Sequence, residues 1–97
     1  MEILAVPVLN VRNITDKDEV IVDISISVCN ENESTFVLNA GYAVINLKNE
    51  HYIVDTSVAF FTSKDDSKHF SDMVSEHVEQ LKDFMRVQRG YTSNVHD

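Results

Sequence analysis

The chain has no tryptophan, one cysteine, one proline and two glycines among its 97 residues. The lone Cys29 excludes an internal disulfide, and with it a stapled extracellular scaffold. It ends a strand-like run with no basic neighbour to lower its pKa, which argues against a nucleophilic thiol. Gly41 and Gly90 are too far apart to build a phosphate-cradling loop, so nucleotide-binding folds of the P-loop or dinucleotide kind are excluded. Long apolar runs are missing too. The longest uncharged stretch, residues 34–47, and the apolar run at 3–11 both fall well short of the roughly 20 residues a membrane-spanning helix needs. Glu2 stands where a signal peptide would carry its basic segment, so a cytoplasmic setting is expected.

Basic residues are scarce as well: 8 Lys and Arg face 16 Asp and Glu, for a net charge of −8. Such a surface repels nucleic-acid phosphates and suits a basic protein partner; no nucleic-acid or membrane binding is expected. The 43% hydrophobic and 25% charged fractions are those of an ordinary globular chain. No linker or repeat interrupts it, so residues 1–97 read as one domain, large enough for a single core.

Period-two alternation marks four strands, at about 3–14, 19–29, 35–47 and 51–62. The clearest is the second, where Val20, Val22, Ile24, Ile26 and Val28 alternate with Ile21, Asp23, Ser25 and Ser27. Pro7 in the first cannot donate a ladder hydrogen bond, which places that strand at a sheet edge or gives it a bulge. In the third, Phe36, Leu38, Ala40, Tyr42 and Val44 share one face, while the other is polar at first and apolar later. Gly41 at the changeover marks a bulge or the close approach of another backbone. Three short polar connections imply an antiparallel meander, because parallel neighbours need long crossovers.

A 3.6-residue period then takes over. Phe70, Met73, Val74, His77, Val78, Leu81, Phe84 and Met85 form one stripe, predicting an amphipathic helix over about 67–89. Asp65, Asp66 or Ser67 can cap its start and Gly90 its end, with the tail 91–97 expected to fray. The fold class is therefore α+β: a four-stranded antiparallel meander followed by one long C-terminal amphipathic helix packed on one face of the sheet.

Chemistry-bearing residues are present without a constellation. His69 and His77 are separated by about 12 Å of helical rise and cannot share an ion, and no metal-ligand spacing appears. His77 reads as a structural residue of the stripe; His51, His69 and His96 read as surface. Asp23 and Asp55 could pair for acid and base work, but strand alternation already explains them as solvent-facing. Acidic turns gather at both sheet ends, with Asp16, Asp18, Glu19 and Glu50 at one. They could imitate a phosphate backbone, although turns favour such residues anyway. No catalytic residue, cofactor or metal is assigned, and the chain is read as non-enzymatic.

A helix of this length is roughly 10 Å wide, whereas four strands at about 4.8 Å spacing make a sheet nearly twice that width. Apolar residues also occupy both faces of the first strand and of the ends of the third and fourth. Leu4, Val6, Val8, Leu9, Val44, Ile45, Leu47, Phe60 and Phe61 are therefore candidate interface residues. A homo-oligomer acting as a small acidic protein-interaction module, of adaptor or inhibitor type, is the leading expectation. The order of four antiparallel strands and a long helix, over roughly residues 3 to 89, resembles that of the SecB export chaperone. That family carries a further C-terminal element without a counterpart here. The resemblance implies an acidic oligomer binding unfolded segments through exposed apolar sheet surface.

Overall fold

The computed structural model describes residues 3–30, 35–56, 61 and 63–91. Strands β1 (Ile3–Ile14), β2 (Glu19–Asn30), β3 (Thr35–Asn46) and β4 (Tyr52–Thr56) precede helix α1 (Lys64–Gln88). The strands form one antiparallel sheet in the order β1-β2-β3-β4, as their short connections require. Pro7 lies on the edge strand β1. The alternation of β2 is carried through, with Val20, Val22, Ile24, Ile26 and Val28 all buried beneath the helix. Phe70, Val74 and Val78 of α1 complete the core with Ala40, Ala43, Ile45 and Leu47.

Two bulges break the register. Opposite β2, the pairing jumps from Ile24↔Gly41 to Ser25↔Asn39, leaving Ala40 as the extra residue. The inward set of β3 therefore switches parity, from Ala40 to Ala43, Ile45 and Leu47. Tyr42 and Val44, expected on the same face as Ala40, point instead to the opposite side. Gly41 makes this possible. Its φ is +144°, and a Cβ there would sit 1.9 Å from the carbonyl oxygen of Asp55 on β4. Asn39 Oδ1 accepts the Gly41 amide at 3.0 Å and closes the kink. The second bulge places Arg12 outside the β1–β2 register, between Val11↔Val22 and Asn13↔Ile21.

Of the fourth strand expected over 51–62, the described residues include Tyr52–Thr56 as β4. The rest of that expectation, residues 57–60 and 62, lies outside the described residues. Phe61 has left the sheet, with its ring centroid 5.5 Å from that of Phe70. The helix starts at Lys64, earlier than expected, because Ser63 caps it in place of Asp65, Asp66 or Ser67. Its Oγ accepts from the amides of Asp65 and Asp66 at 3.2 and 3.3 Å. Those two carboxylates instead occupy the first turn, where the helix dipole favours them.

At the other end, Gly90 takes a left-handed φ of +87°. Its amide bonds Val87 O, while the amide of Tyr91 bonds Arg86 O at 2.8 Å, the paired closure of a Schellman ending. The stripe is narrower than the period implies. His77 and Phe84 are exposed, and Lys82 is buried. No helix among the described residues is long and apolar enough to cross a membrane.

Candidate protein-interaction surface

With α1 on one side, the sheet presents its other side uncovered by any described residue. The register assigns that face. Across it, Val6, Ser27 and Val37 form one row; Val8, Ser25 and Asn39 the next; then Asn10, Asp23, Tyr42 and Asp55; then Ile21, Val44 and Ile53. Val37 and Ile53 are 62% and 61% exposed, and Val6, Val8 and Tyr42 are exposed as well. In the first two rows larger side chains therefore flank the small Ser27 and Ser25 of β2. At the turn end of this face a groove of about 560 Å³ is lined by Glu19, Val44, Asn46, His51 and Ile53, among others.

The face carries one ion pair near its centre. Arg12, re-aimed by its bulge, donates Nε to Asp23 Oδ2 at 3.0 Å and Nη2 to Asp23 Oδ1. The hydrogen bond from Arg12 holds the Asp23 carboxyl below its usual range, so it is a fixed anion and not a proton donor. Asp55 lies two strands away with Tyr42 between, which at about 4.8 Å per strand leaves the carboxylates roughly 10 Å apart. Asp23 and Asp55 share a face without forming an acid and base pair.

The acidic turns are more engaged than solvated loops would be. Thr15 Oγ1 accepts from the amides of Lys17 and Glu19. Asn46 Oδ1 plays the same part in the turn between β3 and β4, accepting from the amides of Lys48 and Asn49. In each turn an acidic residue adopts a left-handed backbone: Asp18 at φ +59° and Glu50 at φ +66°. Leu47 N donates to Asp18 O at 2.9 Å and ties the turns together.

The C-terminal end of α1 then grips both. Arg89 donates to Asp18 Oδ1 at 2.7 Å, and the Tyr91 hydroxyl to Asp18 Oδ2. Arg86 donates to Leu47 O, approaches Glu50 at 3.7 Å and stacks 4.8 Å over the Tyr91 ring. Tyr91, expected to fray, is thus held, while 92–97 lie outside the described residues. The hydrogen bond from Tyr91, then that from Arg89, keeps the Asp18 carboxyl low.

Beside them, Lys82 bonds Glu79 at 2.5 Å and lies within 3.6 and 3.7 Å of Glu50 and Asp83. Burial opposes its charge, yet these carboxylates together raise its pKa. Glu79 is lowered by Lys82 and by the Tyr52 hydroxyl, which donates to it.

The expected interface residues divide. Val6 and Val8 stand on the open face, with half-buried Val44. Ile45 and Leu47 lie in the core beneath the helix, and Leu9 is packed against it. Alternation alone does not show which side the helix covers, so these three are indistinguishable in sequence from residues of the open face. Phe61 packs on Phe70, and the side chains of Leu4 and Phe60 fall outside the described set. Sequence reasoning overlooks Val37, Tyr42 and Ile53; the signal is the Ser25 and Ser27 alternation in β2, carried through the register beyond the Gly41 bulge.

His51 and His69 are exposed, and exposed His77 donates Nδ1–H to Met73 O at 2.7 Å, not to the core. Among the described residues no cluster of three His, Cys, Asp or Glu could hold a metal ion.

In class, this is an α+β fold with a four-stranded antiparallel sheet and a single C-terminal helix. Comparison with protein-family models, with curated proteins and with solved structures finds no match.

Proposed function

We propose that this chain is a small acidic, non-catalytic protein-interaction module of adaptor or inhibitor type, working as a homo-oligomer through its uncovered sheet face. The observation that carries this reading is the set of exposed Val6, Val8, Val37, Tyr42 and Ile53, spread over four successive rows of a face that no described residue covers. Large exposed apolar side chains gathered on one face are characteristic of contact with another chain. The net charge of −8 favours a basic partner for the assembled protein. Affinity capture with wild type and with Ile53→Asp as bait tests it. A defined partner recovered by the wild type and lost with the variant supports the module; equal recovery by both removes the open face from the reading.

A second reading, a SecB-like chaperone for unfolded segments, is favoured by the element order together with the same exposed sheet surface. Suppression of aggregation of a chemically denatured test protein at stoichiometric ratio is its assay. No suppression at a tenfold excess would remove it.

A further inference from the structure

We infer that the occupant of the open sheet face is a second copy of this chain, seated face to face so that the β3 ridge of each copy enters the β2 valley of the other. This rests on the reading of the open face as the working surface and specifies its partner.

Three observations carry it. First, relief: in successive rows the face runs large, small, large, from Val6 through Ser27 to Val37 and from Val8 through Ser25 to Asn39. The valley spans these two rows, before Asp23 with Arg12 and then Ile21 fill β2, and a ridge beside a valley on one surface is self-complementary under a two-fold axis, the usual symmetry of a homodimer. Stacked sheets approach to about 10 Å, and side chains from the two inner faces then interdigitate.

Second, charge: two copies of a chain at −8 repel, so they can meet only where charge is sparse. On the open face Arg12 and Asp23 neutralise each other. Among the described residues the other carboxylates at this face, Glu19, Glu50 and Asp55, stand at the end of β2, in the turn before β4 and on the edge strand β4, at its rim.

Third, area: three strands of 12 residues and one of 5 give a plan area of about 650 Å² at the usual strand spacing and rise. Two copies would bury about 1,300 Å², inside the range of roughly 1,200–2,000 Å² for a specific association.

Sedimentation equilibrium from about 1 μM to 1 mM tests the inference across the affinities such an interface supports. The wild type is expected at twice its 11.0 kDa chain mass. Val37→Asp and Ile53→Asp, at positions more than 60% exposed in the single chain, should run as monomers with unchanged circular dichroism. Ser25→Tyr, which fills the valley, should do the same. Phe84→Asp, on the exposed side of the helix, should leave the dimer intact. A wild type that stays monomeric at 1 mM overturns the inference, as does a dimer that survives all three face variants or dissolves with Phe84→Asp. A monomer that captures a defined partner through this face would overturn the second copy and the homo-oligomer while leaving partner binding through the face standing; a face-to-face dimer that recovers no partner would keep the second copy and remove the adaptor or inhibitor role.

Discussion

Gly41→Ala and Gly90→Ala make the same chemical change at two positive-φ positions, yet the structure separates their costs widely. At Gly90 a Cβ meets nothing within 4 Å, so only the left-handed penalty applies, about 1 kcal/mol. At Gly41 the φ of +144° is hostile to any side chain, costing about 2 kcal/mol. The new Cβ would also lie 1.9 Å from Asp55 O and 2.9 Å from Asp55 C and Thr56 Cα. These are backbone atoms of the paired strand and cannot rotate aside. β4 must separate from β3, adding an overpacking cost of about 2 kcal/mol.

The expected total is about 4 kcal/mol, a large share of the 5–15 kcal/mol typical of a domain. For a chain of this size it lowers Tm by about 20 °C, against about 6 °C for Gly90→Ala. Urea unfolding followed by circular dichroism measures both, and amide exchange should show Tyr52–Thr56 losing protection first. A Gly41→Ala loss no greater than that of Gly90→Ala would refute the close approach of β3 and β4.

Other outcomes follow from the caps and ion pairs. Ser63→Ala should cost about 1 kcal/mol in urea unfolding, since two helix amides lose their acceptor. Lys82→Ala should cost about 2 kcal/mol, leaving Glu79, Glu50 and Asp83 facing one another, with added salt restoring part of it. Lys82→Met, which keeps the buried stem, should cost less in the same experiment. Asp18, Asp23 and Glu79 all have native pKa values below their unfolded ones. Their contribution is complete above about pH 5 and is lost as pH falls through the native values. Melting scans from pH 7 to pH 2 should show this decline, and it should be shallower in Asp18→Asn.

Much of the architecture is legible in the sequence because the pattern in β2 is unambiguous and the connections are too short for anything but hairpins. Gly41 even announces the break in β3. What alternation does not reveal is the consequence of that break. One extra residue, Ala40, moves Tyr42 and Val44 to the open face and Ile45 and Leu47 under the helix. The candidate surface therefore splits between the two sides of the sheet: Val6 and Val8 depend only on local parity, whereas Val37 and Ile53 depend on register across three strands. The Ser63 cap and the Asp18 grip are hidden for different reasons. A cap one turn earlier looks the same in sequence as the polar run that follows it. A bond between residues 71 positions apart leaves no local trace.

That span has a kinetic consequence. Each hairpin closes over a few residues, but Asp18 meets Arg89 and Tyr91 only across 71 and 73 positions, after the meander has aligned both left-handed turns. The entropy of closing so long a loop makes this a late event in folding. Contacts made after the transition state govern escape from the native basin more than entry into it. Asp18→Asn should accelerate unfolding in stopped-flow experiments while leaving the refolding limb unmoved, so the two acidic turns would set how long the domain stays folded, not how quickly it forms.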